Sequence, residues 1–331
     1  MDSFIITGAM TRPNASKLGE GKLYEKARLV RYFPEDSHTE ILLEINEGGE
    51  HYPDEMPNLE FTAGTLSGDR LYLCTDTEVF IYSYPEIKLL KTASYPVFQN
   101  IHHIAPLGDV VAVTSTGLDS VVLLDKEDLS FKEIISVLDP VQYKNAPWHK
   151  FSKEVDYRKV HSTKPHQAHP NHTFMLDDEI WVTRFNHRDA VCLRDVSKKI
   201  DLAIYGVHDG HVVGDYIYFT SVHGNIIIVD KHTRMVEDVI DLNMIENVGM
   251  PLGWCRGFAM IDNNTAMIGY SKLRDTKIKE NIAWVKEFVR GTTRLLHTRV
   301  VTYDLEKKEK KAEYIMPRGT VDAIYSIIID Q

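Results

Sequence analysis

The sequence predicts an all-β protein: a six-bladed β-propeller of four-stranded blades, whose ring is closed by the C-terminal strand pairing into the N-terminal blade. Three observations support this prediction. Short runs of β-branched and aromatic residues alternate with tight Gly, Asp and Asn turns. The strand-and-turn pattern recurs roughly every 40 residues, a typical propeller-blade spacing. The strands left over at the two ends of the chain together complete one further unit.

The tight turns mark where the first strand of each blade returns as the second. Each turn is followed at once by an apolar, β-rich run, such as Leu-Tyr-Leu-Cys at 71–74 and Tyr-Ile-Tyr-Phe at 216–219. The turns lie at 67–69, 107–109, 177–178, 213–215 and 262–264. A third and a fourth strand follow each time, which predicts blades over 58–93, 99–137, 166–204, 206–243 and 253–316.

The two ends of the chain supply the remaining blade. Residues 321–329 read as a lone strand, and residues 4–8, 27–32 and 40–44 read as three more. A blade made of 321–331 and 1–47 leaves no free sheet edge in the ring. The whole chain, 1–331, is therefore predicted to be one propeller domain.

Two long insertions, 138–165 and 271–298, are predicted to lie on the same face of the ring and to mark it as the functional face. The second insertion contains an amphipathic helix at 277–290, with apolar residues at helical spacing. This helix is predicted to be a lid, a homodimer contact or a segment packed on the blades.

Composition narrows the classes of partner. The formal charge of −10 and the absence of a dense basic stripe argue against nucleic acid. Residues 1–8 do not resemble a signal peptide, and no apolar run reaches the roughly 18 residues that would indicate a membrane span. The three cysteines are widely spaced and odd in number, so they predict no disulfide framework. We therefore expect a cytoplasmic protein with a small-molecule substrate.

Histidines recur where successive blades begin. His102 and His103 open one blade, and two matched H-x-x-H segments, 169–172 and 208–211, open the next two. The first strand of a propeller blade lines the central channel, so these imidazoles are predicted to converge at its mouth. Which of His102 and His103 faces the channel stays open, because a one-residue shift reverses the direction of a strand side chain.

Neutral imidazole is the most common protein ligand of transition metals, and three protein ligands leave one position open for water or substrate. We therefore predict a zinc, manganese or iron site. The predicted metal ligands are His103, His172, His211, His223 and Glu60. The predicted catalytic residues are His102, His169, His208, Asp209 and Arg256. The predicted substrate-binding residues are Arg184, Arg12 and Asp322.

The repeat pattern, exemplified by Asn-Ile-Ile-Ile-Val-Asp at 225–230, resembles the six-bladed propellers that include gluconolactonase-like, paraoxonase-like and NHL-repeat proteins. The resemblance extends over the whole chain but includes no signature of a single family. It implies the propeller fold, and for the lactonases of that group a calcium ion held mainly by Glu, Asp and Asn. The histidines of this chain favour a borderline metal instead.

Three functions follow from these residues. The first is a metal-dependent hydrolase or lyase that acts on a small polar molecule at the mouth of the channel. The second is a metal-free lyase or isomerase that uses His and Arg for acid–base chemistry. The third is a non-enzymatic propeller that binds other proteins through its insertions.

Overall fold

The computed structural model describes residues 1–139, 151–273 and 296–329. These residues form six antiparallel sheets of four strands each, arranged as the blades of a propeller. The six-bladed architecture predicted from the sequence is confirmed. The predicted helix at 277–290 lies outside the described residues.

Blades are numbered from the one that contains the N-terminus. Blades 1 to 3 are built from β1 (Phe4–Thr11), β2 (Tyr24–Phe33), β3 (His38–Ile45), β4 (Ala63–Ser67), β5 (Arg70–Cys74), β6 (Val79–Ser83), β7 (Leu89–Ala93), β8 (Ile101–Leu107), β9 (Val110–Ser115), β10 (Ser120–Asp125) and β11 (Phe131–Ser136). Blades 4 and 5 are built from β12 (Pro170–Leu176), β13 (Glu179–Arg184), β14 (Asp189–Cys192), β15 (Lys199–Asp201), β16 (Val207–Val213), β17 (Tyr216–Ser221), β18 (Asn225–Asp230) and β19 (Val236–Asp241). Blade 6 and the closing strand are β20 (Trp254–Met260), β21 (Thr265–Ser271), β22 (Arg299–Asp304), β23 (Glu309–Ile315) and β24 (Ala323–Ile329).

The ring closes through β24, as predicted. The strand order in blade 1 is β24-β1-β2-β3, so the last strand of the chain becomes the inner strand of the first blade. Antiparallel pairs such as Ile5 with Ile328 hold β24 against β1. The first and last strands of the chain are thereby held in one sheet.

Apolar side chains fill the spaces between neighbouring blades. Val113 and Val122 of blade 3 share a buried cluster with Cys74 and Ile81 of blade 2. Equivalent clusters lie between every other pair of neighbouring blades in the described residues. Because each blade is held by two such contacts, the ring is a rigid support for side chains that point into its channel.

Helical structure is scarce in the described residues. It comprises α1 (Leu242–Glu246) and three short 3₁₀ helices, Ala15–Lys17, Thr116–Leu118 and Tyr157–Lys159. Within residues 1–139, 151–273 and 296–329, no helix combines the length and apolar character that a membrane crossing requires.

Candidate functional site

The inner strands of the blades carry β-bulges. Five of the six inner strands, all in the described part of the chain, have extra residues relative to the strand beside them. The residues that lie in these five bulges include His102, Asn171, His172, Asp209, Arg256 and Tyr325. A bulge breaks the strict alternation of side chains along a strand, so residues that a regular strand would turn aside can face the channel.

The channel contains two cavities, one toward each face of the ring. The upper cavity, of about 410 Å³, lies on the side of the links between blades and is lined by residues that include Glu60, His102, His169, His208 and Arg256. The lower cavity, of about 790 Å³, lies on the side of the short turns and is lined by residues that include His103, His172, Asp209 and His211. Both His102 and His103 therefore face the channel, toward different cavities.

Four imidazoles form the upper histidine cluster: His102, His166, His169 and His208. The ring centres of His102 and His169 are 4.9 Å apart, and those of His102 and His208 are 6.1 Å apart. Nδ1 of His166 lies 3.0 Å from Nδ1 of His169, so one ring donates to the other.

Hydrogen bonds fix the tautomer of His102. The Nδ2 of Asn171 donates to the carbonyl oxygen of Val207, so its Oδ1 is an acceptor, and this oxygen lies 2.9 Å from Nδ1 of His102. Nδ1 of His102 therefore donates, and Nε2 of the neutral ring is left as a proton acceptor.

Burial keeps the imidazoles of His102, His169 and His208 neutral. It is the main reason that the pKa values of His102 and His169 lie well below the usual value, and the neighbouring imidazoles and the Arg256 guanidinium lower them further. Burial followed by Arg256 lowers the pKa of His208 to about 3. These three rings thus present uncharged nitrogens at neutral pH.

Glu60 lines another part of the upper cavity and is linked through Asn58 to a second carboxyl group, that of Asp76. Glu60 accepts hydrogen bonds from Asn58 and from the Tyr325 hydroxyl, and Asn58 also donates to Asp76 at 3.0 Å. Burial, followed by the charge of Glu60, raises the pKa of Asp76 well above its usual value. Asp76 is therefore a carboxyl group that tends to keep its proton.

The lower cavity contains a compact group of possible metal ligands, His172, Asp209 and His211, which we call the His–Asp group. One ligand atom from each residue lies within 4.8 Å of the other two. In the described residues this is the one set of three His, Cys, Asp or Glu side chains that meets this spacing. The group could hold a metal ion.

The surroundings suit Asp209 and His172 to metal binding. Burial alone would raise the pKa of Asp209, but His211, whose Nε2 lies 3.8 Å from Oδ1, and the Thr220 hydroxyl lower it below its usual value. The pKa of His172 lies well below its usual value, because the ring is buried and lies beside His103 and His211. An anionic carboxylate and a neutral imidazole are the forms that bind metals.

His103 adjoins this group but has a different hydrogen-bond role. Its ring stacks on His172 with centres 3.7 Å apart, and the backbone N–H of Thr173 donates to its Nδ1 at 3.2 Å. Burial is the main cause that lowers its pKa to about 3, so the ring is neutral at pH 7. With Nδ1 accepting, the remaining proton lies on Nε2, which makes His103 a hydrogen-bond donor at that atom.

The predicted metal ligands do not converge on one point. His172 and His211 line the lower cavity together with Asp209, whereas Glu60 and His223 line the upper cavity. The predicted catalytic residues divide too: His102, His169, His208 and Arg256 line the upper cavity, and Asp209 lines the lower one.

The three predicted substrate-binding residues form contacts within the protein. Arg12 donates to the carbonyl oxygen of Pro57 at 2.6 Å, and Asp322 accepts from the backbone N–H of Thr11 at 2.9 Å. Arg184 forms a buried, two-pronged ion pair with Asp189, at 2.6 and 2.8 Å. None of the three is among the described residues that line either cavity.

We expect the substitution Arg184→Met to destabilise the fold, because it leaves the Asp189 carboxylate buried without its partner. The free energy of unfolding, measured by urea denaturation, should fall by roughly 3 to 5 kcal/mol. The control is Arg194→Met, which removes the exposed ion pair with Glu133 and should cost less than about 1 kcal/mol. Equal losses in the two variants would show that the Arg184 pair does not stabilise the blade.

Sequence reasoning missed Asn58, His166 and Tyr325, which line the upper cavity, and Asp76 and Asn171, which hydrogen-bond to residues of its wall. Asn171 and Tyr325 lie in bulges at positions that correspond, blade by blade, to those of His102 and Arg256. Aligning the repeats of this chain on their inner strands would have selected both. Asp76 carries no such signal, since it follows a second strand.

Comparisons with solved structures show the fold. A protein of unknown function from Bacteroides caccae has a TM-score of 0.62 at 10% identity, with 100% of both chains covered. The β-propeller domain of Myceliophteria thermophila Cps50 (Swd1) has a TM-score of 0.54 at 9% identity, covering 98% of this chain and 92% of that one. A candidate 6-phosphogluconolactonase from Bacteroides fragilis has a TM-score of 0.52 at 9% identity, covering 99% and 98%.

No protein-family model and no curated protein matches the chain. The structural likenesses confirm the propeller fold that the repeat pattern predicted. At these identities they show the fold alone.

Proposed function

We propose that this protein is a metal-dependent enzyme, a hydrolase or a lyase, that acts on a small molecule in the lower cavity. The observation that carries the proposal is the His–Asp group, whose ligand atoms lie within 4.8 Å of one another in a cavity of about 790 Å³. Three protein ligands leave coordination positions for water or substrate, as in catalytic metal sites.

The donor set indicates the kind of metal. Two imidazoles and one carboxylate suit zinc, manganese or iron(II), whereas calcium prefers an all-oxygen set. Such an ion would supply Lewis acidity and would lower the pKa of a bound water. Asp209 is held for this role by the hydrogen bond from Thr220, which fixes one oxygen while the other lies near His211.

The remaining residues of the lower cavity would orient the substrate. Nε2–H of His103 is available to donate to a substrate oxygen beside the His–Asp group. The walls are partly apolar, with Leu66, Phe174, Phe258 and Met260 among the lining residues. The substrate that fits this arrangement places its polar reacting group against the histidines and an apolar part along the walls.

Metal reconstitution tests the proposal. Protein stripped with a chelator would be assayed against a panel of esters, lactones and β-elimination substrates, before and after addition of Zn²⁺, Mn²⁺ or Fe²⁺. We expect activity to appear only with one of the metals and to be lost in His211→Ala. The variant His223→Ala, which changes a histidine of the upper cavity, should keep both metal and activity.

The second candidate function is metal-free acid–base catalysis in the upper cavity. It is favoured by the tautomer of His102, whose Nε2 is a proton acceptor held in place by Asn171. Activity that survives chelation and is lost in His102→Ala would replace the metal-dependent function with this one. If no substrate is turned over and no metal binds, the remaining function is that of a non-enzymatic propeller that binds other proteins.

A further inference from the structure

The upper cavity contains a buried cation that lacks an ionic partner. Arg256 is 6% exposed, and its guanidinium lies over the Tyr325 ring, 4.6 Å from the ring centre. Its Nη2 donates to the carbonyl oxygens of Thr62, at 2.8 Å, and His102, at 3.1 Å. Among residues 1–139, 151–273 and 296–329, its Nε and Nη1 have no hydrogen-bond partner.

Other buried arginines of this chain are paired with carboxylates. Arg28 lies 2.7 Å from Glu44, Arg184 lies 2.6 Å from Asp189, and Arg299 lies 2.8 Å from Glu313. Arg256 forms no ion pair within the part of the chain that the structure describes. Burying a cation without a counter-charge destabilises a fold, so an unpaired buried guanidinium at the wall of a cavity indicates that its counter-charge comes from a ligand.

The groups beside Arg256 suit an anion. The nearby imidazoles of His102, His169 and His208 are neutral, so they neither compensate the guanidinium nor repel a negative charge. Lys272 lines the same cavity and adds a cation, while Lys164, which also lines it, is paired with Glu20. Glu60 lines the cavity as well, where it accepts hydrogen bonds from Asn58 and from the Tyr325 hydroxyl.

We propose that the upper cavity binds the oxyanion, a carboxylate or a phosphate, of a small metabolite, with the guanidinium of Arg256 as its anchor. The Nε–H and Nη1–H groups are left to donate charge-assisted hydrogen bonds to the anion, which are roughly twice as strong as hydrogen bonds between neutral groups. A cavity of about 410 Å³ accommodates a ligand of metabolite size. The site shares no residue with the His–Asp group, so it does not depend on the proposed metal function.

Calorimetric titration of metal-free protein tests the site. The protein is kept with a chelator in low-salt buffer without phosphate and titrated separately with inorganic phosphate and with malonate, a dicarboxylate. We expect wild-type protein to bind one of the two anions at a 1:1 ratio, and the tighter one identifies the class of oxyanion. Arg256→Met should weaken that binding at least tenfold.

Controls separate this site from the metal site and from a folding defect. His211→Ala changes the lower cavity and should bind the anion as the wild type does. Circular dichroism checks that the variants fold, and Arg256→Lys, which keeps the charge but not the guanidinium, should bind with intermediate affinity. The proposal is overturned if wild-type protein binds neither anion, or if Arg256→Met binds as tightly as the wild type.

Discussion

The double substitution His172→Ala/His211→Ala should weaken metal binding by at least about 100-fold, because it removes two of the three members of the His–Asp group. The metal-free fold should change little, since His172 forms no hydrogen bond in the described residues and His211 is half-buried at the lower cavity. Competition titration with a chromophoric zinc chelator measures the affinity, and circular dichroism melts measure the stability.

The matched control is His102→Ala/His223→Ala, which removes two imidazoles from the upper cavity and should leave metal affinity unchanged. The opposing interpretation is that His172 and His211 hold neighbouring blades together. In that case the first variant would melt several degrees lower and neither protein would bind metal. Such a result would show that His172 and His211 stabilise the fold and do not bind a metal.

Acid should unfold the metal-free protein well before ordinary carboxylates titrate. The pKa values of His103 and His208 are lowered from 6.5 to about 3 in the folded protein, chiefly by burial. Below pH 6.5 these histidines bind protons in the unfolded chain but not in the folded chain. The free energy of unfolding therefore has its full value above pH 6.5 and falls with pH down to about 3. These two rings alone should lower the free energy of unfolding by roughly 4 kcal/mol at pH 5.

His102, His169 and His172 shift in the same direction and add to this loss. Asp76 acts in the opposite direction, because its raised pKa favours the folded state as the pH falls, but it is one group against seven histidines with lowered pKa values, His187 and His223 included. Urea denaturation at several pH values measures the slope. His208→Asn should reduce the slope by about one proton, and the exposed His232→Asn should not. A free energy of unfolding that is constant from pH 7 to pH 5 would show that the buried rings take up protons as readily as those of the unfolded chain, so that their pKa values are not lowered.

The fold was predictable because the signals for it are local. A turn such as 107–109, flanked by Ile-His-His-Ile-Ala and Val-Val-Ala-Val, specifies a hairpin within a dozen residues. The number of blades and the closing role of β24 then followed from counting these hairpins and from the strands left at the two ends. No long-range information was needed beyond the requirement that the ring has no free edge.

The sequence predicted many residues of the candidate site, but it did not predict which of the two cavities each residue lines. The matched segments 169–172 and 208–211 indicated convergence on the channel, and both do contribute to it. The bulges decide which cavity each side chain faces, and a bulge adds one residue without a sequence signature of its own. Thus His169 and His172 were expected at one mouth of the channel, whereas they lie in the upper and lower cavities respectively.

The location of the His–Asp group also differs from the expectation. The long insertions 138–165 and 271–298 favoured the face on which they were predicted to lie, but the His–Asp group lines the lower cavity, on the side of the short turns. Asp209 adopts a left-handed backbone conformation, with φ of 57°, in the bulge between His208 and His211. That conformation, which is uncommon for residues other than glycine, is not apparent from the H-x-x-H spacing.

An anomalous-difference map recorded at the absorption edge of the metal that restores activity shows whether the His–Asp group binds that metal. We expect one strong peak in the lower cavity, about 2.0–2.2 Å from an imidazole nitrogen of His172, a carboxylate oxygen of Asp209 and an imidazole nitrogen of His211. A peak among His102, His169 and His208, or no peak in crystals of metal-loaded protein, would contradict it.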